Sequence, residues 1–224
     1  MTQDAALLKK RWEKKRIAIY TLKDNIEKLK RKVRSDLTSS DEKNKITALI
    51  IRIMLNTSER VGNEESASNG HFGVTQFRKK HIEVVGNSIH LNYIGKSGVE
   101  HDKVFADERS ARILEQLLKQ KGTYLFTTSD GFKIKPDKVN RYLSNFDISS
   151  KDIRGYNANR YMVNELSRID PVKDEKQRPK TFNMILKKVA KKIGHTPATL
   201  RGQYLLPEIE EAFYGTGKVK KINI

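Results

Sequence analysis

The sequence predicts an α+β fold that is mainly helical and contains one small, three-stranded antiparallel sheet. Changes in hydrophobic periodicity along the chain lead to this prediction. Apolar residues recur every three or four positions over residues 6–37 and again after residue 107, as in amphipathic helices. Over residues 81–106 they alternate with polar residues between two glycine-containing turns, as in a meander of strands. We therefore expect one compact domain led by a basic helical segment.

The first 57 residues are predicted to be helical. Residues 6–37 should form one or two helices, because their apolar residues recur at helical spacing. Ser39, Ser40 and Asp41 interrupt this pattern and supply a cap for a second helix, residues 42–57. That helix is rich in isoleucine, leucine and methionine, so we expect it to be buried. The recurring apolar positions of the first segment are Leu22, Ile26, Leu29, Val33 and Leu37.

The predicted sheet follows from two turn sequences. Gly86 and Asn87 are a favourable hairpin pair between strands at residues 81–85 and 88–94. The turn GKSG then precedes a third strand, residues 100–106.

Capping residues mark the helices that follow the sheet. Asp107 is placed to cap a helix that stops at Gly122, and residues 123–128 are expected to be extended. The last predicted helix begins at Pro197, with Thr196 as its N-cap. The other predicted helices span about residues 136–146, 151–167 and 180–193.

The composition indicates a polyanionic partner. The 224 residues include 45 Lys+Arg against 27 Asp+Glu, which gives a formal net charge of +18. Cationic side chains that neutralise phosphates release condensed counterions, so this excess favours nucleic acid; a merely well-solvated surface is the plainer alternative. An anionic membrane surface is the other candidate, but no basic amphipathic helix with an aromatic face supports it.

Several classes of protein are excluded by what the sequence lacks. Without cysteine the chain has no disulfide, thiolate zinc site or cysteine nucleophile. No apolar stretch approaches the ~20 residues that span a bilayer, and the N-terminus lacks a signal-peptide pattern. We therefore expect an intracellular protein, located in the cytoplasm, the nucleoid or nucleus, or associated with a virion.

The sequence GKS around Lys96 resembles part of a nucleotide-binding loop, but its context argues against one. Such a loop requires a glycine five residues before Gly95, and that position holds His90. The lysine of the loop also opens a helix, whereas Lys96 lies between two predicted strands. The histidines lack metal-ligand spacing, and those near the strands are expected at the surface, so we expect neither a nucleotide nor a metal. The histidines are His71, His81, His90, His101 and His195.

Five residues lie in distinctive sequence contexts: two arginines, a lysine, a histidine and a tyrosine. Arg60 lies in RVGNEES, where a glycine two residues later allows a tight turn, and Lys96 lies at a predicted hairpin tip. Arg154 lies near a helix start in KDIRGYNANR. His195 lies in IGHTP, and Tyr204 follows nine residues later, about two turns into the last predicted helix. Each residue alone is more simply a surface charge or a core tyrosine.

Taken in order, these residues and their contexts resemble the type IB DNA topoisomerases of the small poxviral and bacterial kind. The resemblance covers roughly residues 10–215, and RVGNEES…NGHFGVTQFRKKHIEV, GKSG and GHTP before the tyrosine are its most specific parts. It implies the catalytic core of the type IB topoisomerase and tyrosine recombinase kind. Residues 41–224 would form the catalytic domain and residues 1–40 its basic helical lead-in. The family's usual β-rich N-terminal lobe is expected to be absent.

The resemblance also implies a mechanism for relaxing supercoiled duplex DNA. Tyr204 would attack a phosphodiester, giving a 3′-phosphotyrosyl enzyme and a free 5′-hydroxyl. Arg60 and Arg154 would contact the non-bridging oxygens, and His195 would donate a hydrogen bond to one of them. Lys96 would protonate the departing 5′ oxygen, which gives a reason for a lysine at a hairpin tip.

The same resemblance assigns further residues and partners. Lys151, three residues before Arg154, matches a second lysine that assists catalysis, and Lys79, Lys80 and Arg201 are expected to contact DNA. Because the protein supplies the positive charge, no metal, ATP or other cofactor is expected. The implied partner is duplex DNA bound by a monomer, without a role for a membrane or a nucleotide.

Two alternatives remain. A tyrosine recombinase or integrase uses similar residues for strand transfer, but it usually has a histidine where this chain has Lys151. A non-catalytic basic DNA-binding protein would explain the charge, but it leaves the five reactive positions as a coincidence.

Overall fold

The computed structural model describes residues 3–219, and of residues 3–6, 8 and 9 it describes only the backbone. It contains the many helices and the small sheet that the sequence predicts. Within the described residues, no helix combines the length and hydrophobicity needed to cross a bilayer. The helices are α1 (Gln3–Asp36), α2 (Glu42–Thr57), α3 (Glu64–Ser68), α4 (Glu108–Lys119), α5 (Pro136–Ser144), α6 (Ser150–Arg168), α7 (Arg178–Ile193), α8 (Pro197–Gln203) and α9 (Pro207–Thr216). The strands are β1 (Ile82–Val85), β2 (Ser88–Ile94) and β3 (Glu100–Ala106).

Residue contacts divide the chain into two units. The helical unit consists of the described residues up to Asp24 and from Asp152 onward. The sheet unit consists of Asn25–Lys151. α1 therefore contributes its first part to the helical unit and its second part to the sheet unit.

α1 is one continuous helix of 34 residues, where the sequence left one or two helices open. The predicted inner-face positions Leu22, Ile26, Leu29 and Val33 are all buried, because residues three or four apart lie on the same side of a helix, and Leu37, just beyond the end of α1, is buried too. Near its C-terminal end, Asp36 accepts hydrogen bonds from Lys32 at 2.6 Å and from the Tyr142 hydroxyl at 2.9 Å. These bonds tie the end of α1 to α5 within the sheet unit.

α2 forms much of the core of the sheet unit. Asp41 accepts hydrogen bonds from the backbone N–H groups of Lys43 and Asn44, at 2.8 and 3.2 Å, which confirms the predicted cap. α2 is buried on nearly every side and contacts α4, α5 and β3. It ends at Thr57 and is capped by Ser58, whose φ of 62° lies in the left-handed region.

The sheet has the order β1-β2-β3 and is antiparallel throughout, which confirms the predicted meander. Ile82, Ile89 and Leu91 are buried, whereas Val85 and Val104 are exposed. Neighbouring residues of a strand point to opposite faces, so this sheet has one core face and one solvent face. α4 contacts β1 and β2.

In the helical unit, α7 contacts both α8 and α9. Arg178 ties the start of α7 to the end of α9, because its Nε donates to the Val172 carbonyl and its Nη1 to the Tyr214 carbonyl, at 3.0 and 2.8 Å. Gly217 closes α9 with a φ of 68°, at a point where a Cβ would lie 2.0 Å from the Val172 carbonyl oxygen. Only glycine fits this approach.

The prediction of a single last helix from Pro197 was wrong. α8 ends at Gln203, and α9 begins at Pro207. Proline lacks an N–H, and its ring clashes with the carbonyl four residues earlier, so one regular helix cannot run through this position. Tyr204 therefore lies just beyond the end of α8 and not inside a longer helix.

Candidate active site

Tyr204 occupies the C-terminal cap of α8. The predicted N-cap of this helix is confirmed, because Thr196 Oγ1 accepts the N–H of Thr199 at 3.1 Å. At the other end the Tyr204 N–H donates to the Leu200 carbonyl at 3.0 Å, while its φ and ψ of −125° and −38° leave the helix. Tyr204 is 8% exposed. The end of a short helix thus fixes where the phenol side chain leaves the backbone.

Asn159, on α6, holds the backbone around Tyr204. Its Nδ2 donates to the Tyr204 carbonyl at 2.8 Å, and its Oδ1 accepts the Leu206 N–H at 2.7 Å. Asn159 is fully buried, so these bonds are protected from water. Sequence reasoning missed this residue. The available signal was its polar amide side chain, which lies five residues after Arg154 among the buried residues of α6.

Arg154 and His195 form a hydrogen-bonded pair beside Tyr204. Arg154 Nε donates to His195 Nε2 at 2.9 Å, and Arg154 Nη2 donates to the Ile193 carbonyl at 2.7 Å. The rings of His195 and Tyr204 lie with their centroids 4.5 Å apart, tilted by 35°. A guanidinium can only donate, so Nε2 of His195 accepts and the ring proton of the neutral imidazole is on Nδ1 in this arrangement.

The C-terminal end of α7 holds His195 in this position. Gly194 adopts a φ of 76°, and the His195 N–H turns back to the Ala190 carbonyl at 2.9 Å. The last carbonyls of a helix have no partner within the helix and carry partial negative charge, so they attract the Arg154 guanidinium. The helix end therefore positions both the imidazole and the arginine.

Arg60 lies in the loop after α2, in the sheet unit. Its carbonyl accepts the Val74 N–H at 2.9 Å. Gly62 has a φ of 91°, and a Cβ at this position would lie 1.7 Å from Gln76 Oε1 and 2.9 Å from Gly73 Cα. The tight turn expected from the sequence is thus a close crossing of two backbone segments, which requires glycine.

Glu59, immediately before Arg60, is a buried carboxylate that sequence reasoning also missed. It accepts hydrogen bonds from His101 Nδ1, at 3.2 Å, and from the Tyr93 hydroxyl, and it forms an ion pair with Lys103. Burial raises the pKa of Glu59, but the hydrogen bond from His101 and the charge of Lys103 outweigh burial and lower the pKa to about 2. No periodicity in the sequence marks this glutamate as buried.

Lys96 opens a short 3₁₀ turn, Lys96–Gly98, between β2 and β3, so it lies at the hairpin tip as predicted. The Gly95 N–H closes the turn by donating to the Val99 carbonyl at 2.7 Å. Ser97 has a φ of 64°, in the left-handed region. Lys96 is exposed, with strands on both sides of the turn.

The predicted assisting and DNA-contacting lysines all lie in the sheet unit. Lys151, the second residue of α6, is exposed, and so is Lys80. Lys79 is half-buried, and its ammonium donates to the Gln120 carbonyl.

Arg201, the remaining predicted DNA contact, is engaged within the helical unit. Its Nε donates to Glu210 Oε2 at 3.1 Å, and its Nη2 donates to Asn183 Oδ1 at 2.6 Å. Binding a phosphate would require Arg201 to exchange at least one of these partners.

The expectation of surface histidines near the strands was wrong for His81 and His101, which are 6% and 3% exposed. His81 packs against the rings of Phe72 and Phe77 and accepts the Arg78 N–H at its Nδ1, at 3.1 Å. Burial lowers the pKa of His81 to about 4, with a further contribution from neighbouring cations. Among the described residues, no three histidine, aspartate or glutamate side chains are gathered in a metal-binding arrangement.

The five predicted reactive residues thus fall into two sets. Arg154, His195 and Tyr204 are in contact within the helical unit and offer a potential nucleophile beside hydrogen-bond donors. Arg60 and Lys96 belong to the sheet unit, where one follows α2 and the other tips the hairpin. A tyrosine with adjacent cations is chemically suited to displacement at phosphorus.

Comparison of the sequence with known proteins identifies the family to which the chain belongs. The model of the catalytic core of eukaryotic DNA topoisomerase I matches residues 5–208. The chain is 27% identical over 204 residues to the DNA topoisomerase 1B of Acanthamoeba polyphaga mimivirus, a match covering 84% of this chain and 61% of that protein. It is 28% identical over 149 residues to the DNA topoisomerase I of Monkeypox virus, covering 64% of this chain and 45% of that protein. The chain spans about half to three fifths of the length of these relatives.

Solved structures share the fold. The XerH site-specific recombinase bound to its difH substrate, in a pre-cleavage complex, matches with a TM-score of 0.51 at 16% identity, over 84% of this chain and 52% of that one. A post-cleavage complex of XerH with palindromic difH matches with a TM-score of 0.52 at 14% identity, over 84% and 50%. Identities this low concern the fold alone, and they confirm the predicted mainly helical core.

Proposed function

Since the chain belongs to the family of the eukaryotic DNA topoisomerase I catalytic core, we propose that it relaxes supercoiled duplex DNA by cutting and rejoining one strand. The observation that carries the proposal is that Arg154 contacts His195 and His195 contacts Tyr204. Arg154 lies 41 or more positions before the other two residues in the sequence. Such convergence gives a phenol two neighbouring groups able to donate hydrogen bonds to a phosphate. The named mimivirus and poxvirus relatives support the same activity.

In the proposed cleavage step, the Tyr204 oxygen bonds to phosphorus while the bond between phosphorus and the 5′ oxygen breaks. The electron pair of the broken bond leaves with the 5′ oxygen, and the Lys96 ammonium donates the proton that makes it a hydroxyl. The phenol proton passes to water. The products are a 3′-phosphotyrosine and a free 5′-hydroxyl, and attack by that hydroxyl after strand rotation reverses the step.

The remaining cations stabilise charge on the reacting phosphate. Arg60 and Arg154 bind the non-bridging oxygens, where negative charge grows in the transition state, and His195 donates to one of them. A guanidinium suits this role because its donors form a planar fork. Phosphate binding would replace the present Arg154–His195 hydrogen bond, and a proton on Nε2, gained by tautomer exchange or protonation, would then let His195 donate from that nitrogen. Lys151 assists at the same phosphate.

We propose that the reaction requires no metal ion and no ATP. Side chains of the protein supply the positive charge and the hydrogen bonds. The phosphotyrosine conserves the energy of the phosphodiester, so the strand is rejoined without fuel, and the supercoils themselves drive relaxation.

The proposed partner is duplex DNA, bound by a monomer inside the cell. The net charge of +18 supports a polyanionic partner, and Lys79, Lys80 and Arg201 are the proposed contacts beyond the reacting phosphate. We assign the catalytic domain to residues 41–224 and a basic helical lead-in to residues 1–40.

Strand transfer between two duplexes is the second candidate function, because the fold neighbours are site-specific recombinases. Lys151 precedes Arg154 at the position where recombinases usually carry a histidine, and this favours relaxation. Incubation with two labelled duplexes would yield recombinant strands only if the second candidate were correct.

Relaxation of supercoiled plasmid in EDTA without ATP tests the proposal. We expect relaxation, and detergent should trap a covalent protein–DNA adduct. Tyr204→Phe should bind the plasmid but neither relax it nor form the adduct. Tyr214→Phe, a matched loss of a hydroxyl on α9, should behave as the unaltered chain does. Binding without relaxation by the unaltered chain would instead identify a non-catalytic DNA-binding protein.

A further inference from the structure

A buried ion network lies between the loop of Arg60 and the hairpin of Lys96. Glu59 is 1% exposed and is ionised, with three donors around its carboxylate. These donors are the Tyr93 hydroxyl, His101 Nδ1 and the Lys103 ammonium. All three come from β2 and β3, the strands that lead into and out of the hairpin turn.

The network reaches the base of the hairpin turn. Tyr93 and His101 are cross-strand partners, and their rings stack at 4.7 Å with an angle of 14° between planes. Gly95 lies directly against His101, because a Cβ on Gly95 would be 2.6 Å from His101 Nε2. That nitrogen is buried and has no hydrogen-bond partner among the described residues. The imidazole therefore packs directly against the backbone one residue before Lys96.

The same network fixes the start of the Arg60 loop. Lys103 also donates to the carbonyl of Thr57, at the end of α2, at 2.9 Å. Farther along the chain, after α3, the Phe72 N–H donates to the Ile94 carbonyl of β2 at 2.8 Å. This bond is a second link to β2, in addition to the one between Glu59 and Tyr93. The carboxylate thus stands where the two segments with proposed catalytic cations meet inside the sheet unit.

The plainer interpretation is that the network only stabilises the fold. Buried ion pairs are often replaceable by apolar residues without loss of stability, so stability alone gives a weak reason for a buried glutamate with three polar partners. A fixed orientation of the hairpin base gives a stronger one, because proton transfer depends on placing donor and acceptor within hydrogen-bond reach.

We propose that Glu59 and His101 are positioning residues that orient the hairpin so that Lys96 can protonate the departing 5′ oxygen. This inference rests on the proposed function. Neither residue touches DNA in this role; each acts through the backbone at Gly95. Loss of either should therefore impair the proton transfer more than the attack by Tyr204.

Single-turnover cleavage with two matched DNA substrates tests the proposal. One substrate has an ordinary phosphodiester, and the other has sulfur in place of the bridging 5′ oxygen. A thiolate departs without a proton, so Lys96→Ala should cleave the sulfur substrate at nearly the unaltered rate. Glu59→Gln keeps the shape of the side chain but removes its charge. We expect it to slow cleavage of the oxygen substrate by about 10- to 100-fold, and sulfur should restore most of that loss.

Two further variants complete the experiment. His101→Gln should show the same rescue by sulfur, and it is the second variant should Glu59→Gln fold poorly. Glu65→Gln, the same change at an exposed position of α3, should leave both rates unchanged. Folding is checked by circular dichroism, and rates are compared for the folded protein.

The outcomes are separable. Equal slowing on both substrates, or no slowing on either, overturns the positioning role while leaving the proposed function intact. Absence of any Tyr204-dependent adduct with the unaltered chain overturns the proposed function and this inference together. Slowing on oxygen with rescue by sulfur supports the positioning role, because a general loss of stability would affect both substrates alike.

Discussion

At the scale of single residues, the Arg154 side chain joins the end of α7 to the imidazole beside Tyr204. It is 2% exposed, and its donors reach both His195 and the Ile193 carbonyl. Such an arginine is preorganised, since its orientation is set by the protein before any phosphate arrives. Its replacement by a smaller residue removes a charge from the site and also the restraint on His195.

Arg154→Ala should slow single-turnover DNA cleavage by ~10²–10³, by analogy with the loss of one oxyanion donor. Gel quantification of the covalent adduct over time measures the rate. Arg168→Ala, in the exposed last turn of α6, is the matched control and should leave the rate unchanged. Cleavage by Arg154→Ala at the unaltered rate would remove Arg154 from the proposed chemistry.

The sequence identified residues whose local contexts carry information. Arg154, His195 and Tyr204 stand in family-like motifs, and the structure brings them into contact. Asn159 and Glu59 lie outside the hydrophobic periodicity and the family-like roles that single out the other three residues. Their importance depends on groups 34 or more positions away in the sequence. For Glu59 these groups are its partners on β2 and β3, and for Asn159 the group is the Tyr204 carbonyl. Local periodicity does not report such contacts.

At the scale of elements, the segment between α2 and β1 depends on two glycines that approach each other, Gly62 before α3 and Gly73 after it. Gly73 lies so close to Gly62 that a Cβ on Gly73 would be 2.3 Å from the Gly62 Cα. Gly70 also has a positive φ, 78°, but nothing lies within 4 Å of a Cβ placed there. Gly62 is therefore constrained by both conformation and packing, whereas Gly70 is constrained by conformation alone.

Gly62→Ala should lower the free energy of unfolding by ~2–5 kcal/mol, because it adds a steric clash to the left-handed strain. Gly70→Ala should lower it by about 1 kcal/mol, from the strain alone. Urea denaturation followed by circular dichroism measures both. Equal destabilisation by the two substitutions would show that the backbone crossing at Gly62 does not constrain the loop.

Elements with a clear hydrophobic period were predicted well. The three strands follow their alternating pattern closely, because one face of the sheet must be buried, and α2 follows its run of apolar residues, which is buried on nearly every side. α9 was missed, since Pro207 was not treated as the first residue of a new helix. Proline is favoured at the first position of a helix, and Pro207 occupies that position in α9, after the buried Leu205 and Leu206 that separate it from α8.

At the scale of the whole molecule, the division into a helical unit and a sheet unit has no local signal in the sequence. Periodicity reports which face of an element is buried, not which elements share a core. The boundaries at Asp24 and Asp152 both fall inside regular helices, α1 and α6, and not in loops between elements. The assignment of residues 1–40 as a lead-in segment stays a prediction.

The proposed activity requires residues of both units to act on one phosphodiester, with Tyr204 as the residue that bonds to DNA. The direct measurement is to trap the adduct on a duplex, digest the DNA and the protein, and locate the remaining nucleotide by mass spectrometry. Trypsin should release residues 202–218 as one peptide, which holds Tyr204 together with Tyr214 as an internal control. We predict a 3′-linked nucleotide on Tyr204. A nucleotide on Tyr214 or on another residue, or no adduct under conditions of DNA binding, would contradict the assignment.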